Sequence, residues 1–321
     1  MSYRLSGALL LALALLVPIS LLAGRVWIDP FDPQTRNAAV ILFELRLPRA
    51  ALALCVGAGL GAAGAAMQGY LRNPLADPGL FGIAPGAALG AVLSFWTGYA
   101  ASAWLLPIFA LVGAAGAMAL LAVIAGRDGG IALFTLVGLM IASLAGALMS
   151  LAISLSPTPF AMSEIVIWLM GALSDRSWRE VTIAAPLTLA GIALLIAAGR
   201  SLDALTLGEQ AARSLGVEPR RLQILLIAGV GLTVGAGVAV AGIIGFVGLI
   251  VPHLVRPLTD RRPSSLILPS ALAGALLLLV ADCLCRVLPL AGGELRLGIA
   301  LSLIGAPFFL HLLLKMRRGL A

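Results

Sequence analysis

Charge is scarce in this sequence. Asp, Glu, Lys and Arg make up 11% of its 321 residues, whereas a soluble domain carries about 25%. Hydrophobic residues account for 61%, and the mean hydropathy is +1.10. This composition excludes a soluble globular protein. It predicts an all-α polytopic membrane protein, because the apolar segments have the length of membrane-crossing helices.

Side chains that bind metals are also few. The chain has three cysteines and two histidines. Cys55, Cys283 and Cys285 all lie in apolar runs, and the Cys283-x-Cys285 spacing, with no histidine near it, suits a metal site poorly. We expect these cysteines to be small buried apolar residues. The sequence therefore predicts no metal site and no cofactor held by this chain.

Two motifs that would give the chain an enzymatic activity are missing. Neither a Walker A sequence, G-x-x-x-x-G-K-[ST], nor an H-E-x-x-H sequence occurs. Serines are present, but none has a credible catalytic partner, so an intramembrane enzyme is disfavoured. We expect a protein that is not an enzyme, and any ATP and Mg²⁺ that drive transport would be bound by a separate ATPase.

The net charge of +7 does not indicate nucleic-acid binding. The basic residues cluster at the ends of apolar segments, which is where membrane topology places them. Ten candidate spans are separated in this way, and both termini would then lie on one side of the membrane. More Lys and Arg fall on the side of the termini, which predicts that both termini are cytoplasmic. The candidate spans are 5–24, 47–70, 80–97, 101–125, 131–155, 178–199, 222–241, 242–256, 266–288 and 297–315.

No polar stretch is long enough for a soluble domain, so we expect residues 1–321 to form a single transmembrane domain. The first span, 5–24, is expected to be an uncleaved helix because its apolar run is near the length that crosses a bilayer. The eighth span is short, and its glycines at 242, 245 and 248 indicate close packing and a possible backbone break.

The stretch 46–90 contains the most distinctive motif. An R-x-P-R cluster opens a long helix of small apolar residues, and a polar, proline-punctuated turn follows at residues 72–79. This order resembles the opening signature of the FecCD-type permeases, a bacterial family that imports iron-siderophores, heme and cobalamin. The resemblance continues nearly to the C-terminus. It implies that Gln68, Asn73 and Pro74 lie at the transport pathway or its gate.

The polar segment 201–221 reads SLDALTLGEQAARSLGVEPRR and retains several apolar residues. From spacing alone, it fits equally well a helix that lies on the membrane surface and an element that seats in a cleft of an ATPase. The sequence LGEQAARSLGV resembles the ATPase-coupling loop of the FecCD-type family and favours the second interpretation. By this resemblance, the coupling residues are Gly208, Glu209, Ala211, Ala212, Leu215 and Gly216.

The run GIIGFVGLIVPH, residues 242–253, also resembles the family pattern. His253 at its end could relay protons or bind a metal. A structural hydrogen-bonding role at a helix end is the favoured interpretation.

Several arginines are expected on the outer side of the membrane. Asp282 and Arg286 stand four residues apart and can pair on one helix face. In the family that the chain resembles, a basic rim on the periplasmic face docks acidic residues of a substrate-binding protein, and charge pairing of this kind steers encounter. The alternative is arginine snorkelling at the interface. The docking residues implied by the resemblance are Arg46, Arg49, Arg286 and Arg296.

Two further segments are similar to the family. Residues 163–171 resemble a short periplasmic helix beside the pathway mouth, which implies a pathway position for Trp168 and Gly171, although an aromatic residue at the lipid interface explains Trp168 equally simply. Near the C-terminus, Arg296 replaces the usual proline of the family and adds a charge at the docking rim.

The resemblance implies the permease subunit of an ATP-binding-cassette (ABC) importer in the bacterial inner membrane. Its expected partners are ABC ATPase subunits, a periplasmic substrate-binding protein, membrane lipid and a second, identical permease copy. Iron-siderophore is the first choice for the metal-chelate substrate, with cobalamin and heme as alternatives. An ion-coupled secondary transporter is less favoured because only Asp282 approaches a midplane carboxylate.

Overall fold

The computed structural model describes residues 2–24, 38–102, 104–125, 130–288 and 293–318. All regular structure in these ranges is helical. A π-helix, Ile41–Arg46, joins α2 to α3, and short 3₁₀ helices occupy Pro78–Phe81, Tyr99–Ala101 and Arg256–Leu258. The α-helices are α1 Ser2–Leu22, α2 Ala38–Val40, α3 Leu47–Tyr70, α4 Ile83–Trp96, α5 Leu105–Ala125, α6 Ile131–Ser154, α7 Pro159–Leu169, α8 Trp178–Leu205, α9 Glu209–Ser214, α10 Pro219–Ala241, α11 Val247–Val255, α12 Pro263–Val287 and α13 Leu297–Arg318.

Within the described residues, eight helices are long and apolar enough to cross a bilayer. They fall on eight of the ten predicted spans, and the prediction of an all-α polytopic membrane protein is confirmed. The spans predicted at 80–97 and 242–256 contain shorter helices, α4 with 14 residues and α11 with 9 residues. The number of crossings and the side of the termini therefore stay predictions.

The boundary between the span 178–199 and the loop 201–221 was placed too early. Helix α8 continues to Leu205, because Leu202 and Leu205 are buried and keep this end of the helix packed against its neighbours. Only residues 206–218 leave regular long helices, and the short helix α9 lies within them. Helix α10 begins at Pro219, where proline lacks only a donor that the first turn does not use.

The core is centred on α3, which packs against α8, α10, α11 and α12. Small residues make this possible because they let helix backbones approach closely in lipid. Added Cβ atoms on three α3 glycines would collide with backbone of α12 and α11. The colliding pairs are Gly57 with Gly274, Gly61 with Ser270, and Gly64 with Gly248.

Helix α3 also gives the molecule two distinguishable ends. Arg46 and Arg49 lie at its start, and Tyr70 lies at its end. A helix of 24 residues is about 36 Å long. We call the two ends of the molecule the arginine end and the loop end, because Tyr70 lies beside the loop 206–218.

Candidate functional site

An apolar cavity of about 240 Å³ lies beside the break between α10 and α11. The break spans residues 242–246, where Gly242 and Phe246 have left-handed backbone angles of φ 73° and 66°. Non-helical backbone at membrane depth is tolerated where it is buried in protein or lines a cavity. The walls include Val56 and Leu60 of α3, Val234 and Val238 of α10, and Ile243 and Phe246 of the break.

A junction of three glycines holds this break in place. Gly171 follows α7, Gly242 follows α10, and Gly298 is the second residue of α13. A Cβ on any of them would collide with backbone of another of these segments. The Gly298 N–H donates to the Gly171 carbonyl at 3.1 Å, and the Ala172 N–H donates to the Ala241 carbonyl at 2.8 Å. Gly171 was predicted at the pathway, and the structure places it at this junction.

Gln68 of α3 holds the start of α11, directly after the break. Its side chain is buried, and its Nε2 donates to the carbonyls of Gly248 and Leu249 at 3.4 and 3.3 Å. Arg256 donates from Nη2 to the Gln68 Oε1 at 2.8 Å. Gln68 therefore ties α3 to both ends of α11 and does not line the apolar cavity.

The polar turn after α3 positions a carboxyl group that sequence reasoning did not select. Asn73 accepts a hydrogen bond from the Leu75 N–H at 2.9 Å, with Pro74 between them, and neither residue lines the apolar cavity. Asp77 lines this cavity, and its Oδ1 accepts from the Gly79 N–H at 2.7 Å. Burial raises the pKa of the Asp77 carboxyl, and the Gly79 hydrogen bond opposes this shift.

The four arginines predicted to dock a partner line one open cavity of about 610 Å³ at the arginine end. Their surroundings differ. Arg46 donates to the carbonyls of Leu21 and Leu22, both at 2.8 Å. It thus gives hydrogen bonds to carbonyl groups in the last turn of α1, where the helix itself provides no donors. Arg296 makes a long hydrogen bond of 3.3 Å from Nη1 to the Ser174 hydroxyl.

Arg49 and Arg286 enclose Asp282, whose side chain is 1% exposed. The Arg49 Nη2 lies 2.9 Å from the Asp282 Oδ1, and the Arg286 Nε lies 3.1 Å from the Asp282 Oδ2. The Arg49 Nη2 also lies 2.8 Å from the Glu294 Oε2. The predicted pair between Asp282 and Arg286 is confirmed, while the contacts of Arg49 with both carboxylates were missed because they join segments distant in sequence.

A second open cavity, of about 440 Å³, adjoins the first. Ser174, Asp175, Arg176 and Arg296 line both cavities and form a ridge between them. Trp168 lines the second cavity, packs edge-on against Phe95 at 6.2 Å and is 9% exposed. Its Nε1–H has no hydrogen-bond partner among the described residues.

At the loop end, α9 begins after Gly208 and ends before Gly216, whose positive φ values of 102° and 85° favour glycine. Ala212 is buried, and Glu209 accepts from the Ile131 N–H of α6 at 3.4 Å. Leu215 is 64% exposed. The loop is thus held on its inner face by Ala212 and Glu209, with Leu215 on its outer face and Ala211 half-buried.

The end of α8, which precedes the loop, is also connected to α12. Asp203, in the last turn of α8, accepts hydrogen bonds from the backbone N–H and the hydroxyl of Ser264. Ser264 is the second residue of α12, so Asp203 satisfies a donor that has no partner within the helix.

In the described ranges, no group of three or more His, Cys, Asp or Glu residues is placed to hold a metal ion. His253 packs edge-on against Phe308 at 6.0 Å. The candidate sites are therefore an apolar cavity beside a helix break, a basic cavity at one end and a structured loop at the other.

Comparisons with known proteins agree with this arrangement. The sequence pattern of the FecCD transport family matches residues 8–315. The vitamin B12 import system permease BtuC of Salmonella paratyphi A is 39% identical over 98% of this chain and 96% of its own length. BtuC of Yersinia pestis is 36% identical over 98% of this chain and 94% of its own length.

Two solved structures are also similar. An inward-facing ABC transporter described as metal-chelate type has a TM-score of 0.89 and 33% identity, and covers 97% of this chain and 99% of its own. PsaBC from Streptococcus pneumoniae, in complex with Fab, shares the fold alone, with a TM-score of 0.55 and 21% identity. The chain belongs to the FecCD transport family and is a membrane-spanning permease subunit of an ABC importer.

Proposed function

We propose that this permease imports cobalamin across a bacterial inner membrane, from periplasm to cytoplasm. The assignment of cobalamin as the substrate rests on the similarity, at 36–39% identity over 98% of the chain, to permeases named for vitamin B12. This similarity favours cobalamin, an alternative of the sequence analysis, over its first choice, an iron-siderophore. Heme remains the third candidate.

The apolar cavity supports a pathway shared between two copies of the chain. Pockets that enclose small ligands have volumes of about 300–1000 Å³, whereas this cavity holds about 240 Å³. This cavity is therefore too small by itself to enclose a molecule as large as cobalamin. In a homodimer, apolar walls and few charges would let a large chelate pass without being bound tightly.

The loop end supports coupling to a separate ATPase that binds ATP and Mg²⁺. Helix α9 is fixed to the transmembrane helices by buried Ala212 and by Glu209, and it exposes Leu215. A rigid element with an exposed apolar residue fits a cleft on another protein. We propose that Gly208, Ala211 and Gly216 shape this element.

The arginine end supports docking of a periplasmic binding protein. Five arginines line the cavity there, against the carboxylates Asp175 and Glu294 on its walls. This excess of positive charge would attract an acidic partner surface. Trp168 lies at the adjoining cavity, where substrate released from the docked protein would enter.

Reconstitution tests the substrate and the importer class together. The permease, its ATPase and its binding protein would be placed in liposomes, and ATP-dependent uptake of labelled cobalamin, ferric siderophore and heme would be measured side by side. An ATPase unable to hydrolyse ATP is the matched control. We expect cobalamin uptake that requires hydrolysis.

The outcomes distinguish an error in the proposed substrate from an error in the proposed ATP-driven mechanism. Uptake of ferric siderophore or heme without cobalamin would overturn the substrate and leave the importer standing. Accumulation of cobalamin with the inactive ATPase would contradict an ATP-driven mechanism.

A further inference from the structure

Asp77 brings a carboxylate to the wall of the apolar cavity. None of the other described residues that line this cavity is Asp, Glu, Lys, Arg or His. The Asp77 side chain is half-buried, and its Oδ1 accepts from the Gly79 N–H at 2.7 Å. Its Oδ2 has no hydrogen-bond or ion-pair partner in the part of the chain that the structure describes. One carboxylate oxygen is therefore available to a molecule in the cavity.

The turn after α3 places this carboxylate at membrane depth. A Cβ added to Gly248 would lie 2.7 Å from the Pro78 Cδ and 3.0 Å from the Leu60 carbonyl oxygen, so both residues pack against the first turn of α11. Leu60 is near the middle of α3, about 15 Å along the helix from Tyr70. The turn thus returns from the end of α3 toward its centre. Ionisable side chains at this depth are rare, because desolvation penalises them, and they mark functional positions.

The break between α10 and α11 adds hydrogen-bond donors to the same cavity. Gly245 and Phe246 line the cavity, and their backbone N–H groups donate to no other group within the described residues. A Cβ added to Gly245 would meet nothing within 4 Å, so the backbone is open on that side. The walls of one cavity therefore offer both an acceptor, the Asp77 Oδ2, and two N–H donors of the break.

We propose that Asp77 and the break recognise carboxamide groups of the substrate, which makes Asp77 a specificity-determining residue of the transport pathway. A carboxamide has N–H groups that donate and a carbonyl that accepts. Its N–H groups would donate to the Asp77 Oδ2, and its carbonyl would accept from Gly245 or Phe246. Cobalamin carries several carboxamides on the rim of its ring. The inference therefore rests on the proposed function and names the substrate groups that this pathway selects.

The same arrangement disfavours a substrate that presents a carboxylate. A carboxylate has no N–H to donate to the Asp77 Oδ2, and its charge is repelled by that of Asp77, with no cation on the cavity wall to offset the repulsion. Heme, whose ring carries two carboxylates, would be disfavoured for this reason. The other walls of the cavity are apolar, so a carboxamide would be oriented there without the whole substrate being held tightly.

The test measures discrimination between cobalamin and derivatives in which one ring carboxamide has been hydrolysed to a carboxylate. Initial rates of ATP-dependent uptake by the reconstituted transporter would be compared for each compound. The same binding protein serves every variant, so its own preference cancels. The variant is Asp77→Asn, whose Oδ1 can still accept from the Gly79 N–H. Asp260→Asn is the matched control, because the exposed Asp260 also accepts from a backbone N–H two residues on, that of Arg262, but does not line the apolar cavity.

We expect the wild type to prefer cobalamin over at least one of the carboxylate derivatives, and Asp77→Asn to lower that preference by about 10-fold. The asparagine amide carries no charge and can donate to a carboxylate. Asp77→Ser should lower the preference as well, since a serine hydroxyl can accept from the backbone in a turn of this kind and is uncharged. The Asp260 variant should keep the preference of the wild type.

An unchanged preference in a folded Asp77 variant would overturn the inference, and so would an equal change in the Asp260 variant. Equal loss of uptake for cobalamin and its derivatives would also overturn it, because Asp77 would then have a structural role only. Failure of both Asp77 variants to fold, judged by size-exclusion chromatography, would have the same meaning. A wild type that takes up ferric siderophore or heme but no cobalamin would instead count against the proposed function.

Discussion

Asp282 is the side chain on which the arginine end depends. It is buried between two guanidinium groups, those of Arg49 on α3 and Arg286 on α12. Removing charges from water is costly, so a buried ion pair adds little net stability while intact. Removing one partner is different, because it leaves uncompensated charge in the interior.

Replacement of Asp282 by Asn should therefore destabilise the protein strongly, by about 3 kcal/mol or more. Buried Arg286 would lose the carboxylate it pairs with, and Arg49 would keep only Glu294. Thermal unfolding in detergent, followed by tryptophan fluorescence, would measure the effect. Glu294→Gln is the matched control, since Glu294 contacts the same Arg49 but is 31% exposed. Equal melting temperatures for the two variants would contradict a central role for Asp282.

Sequence reasoning found part of this cluster. The four-residue spacing on one helix predicted the pair of Asp282 and Arg286. Arg49 was selected only as an outward cation, because its partner lies 233 positions away in the chain.

The break between α10 and α11 is the element that shapes the apolar cavity. Its glycines have different tasks. Gly242 has a left-handed backbone, and a Cβ there would collide with the Trp168 carbonyl, whereas a Cβ on Gly245 would meet open space. The break is thus fixed at its start and unobstructed in its middle.

We expect Gly242→Ala to lower the yield of monodisperse protein and its melting temperature, because both the backbone angle and the junction with Gly171 resist a side chain. Gly245→Ala should fold like the wild type. Size-exclusion chromatography and thermal unfolding would compare them. A well-folded Gly242→Ala protein with an unchanged melting temperature would show that the junction with Gly171 accommodates a side chain without loss of stability.

Hydrophobicity predicted the long helices better than the short ones. Span 47–70 coincides with α3, because a long apolar run has no competing structure. Span 80–97 begins too early, because a 3₁₀ turn at Pro78–Phe81 and the left-handed Gly82 delay α4 to Ile83. The run 242–256 contains the same apolar residues whether its backbone is helical or broken, so only its glycines hinted at the interruption.

At the scale of the whole molecule, partners are expected at opposite ends of α3. The loop end exposes Leu215 on a fixed helix, and the arginine end exposes the ridge. The apolar cavity is lined in part by α3, α10 and the break that follows α10. Each end can therefore be probed by a substitution of its own.

Leu215→Glu should abolish association with the ATPase and uptake of substrate while membrane insertion stays intact, because a charge replaces the exposed apolar contact. Co-purification with the ATPase would measure association. Leu155→Glu is the control, since Leu155 is also exposed but lies at the far end of α6 from the loop. Undiminished co-purification of Leu215→Glu would remove α9 from the coupling surface.

Helix α12 connects the loop end to the arginine end as one continuous helix. Asp203, next to the loop, holds its first turn, and Arg49 holds Asp282 near its last turn, about 27 Å along the helix. A displacement of the loop end on ATP binding would therefore also displace the arginine end. Thermodynamic linkage then requires reciprocity: if ATP changes the affinity for the binding protein by some factor, docking of that protein changes the affinity for ATP by the same factor.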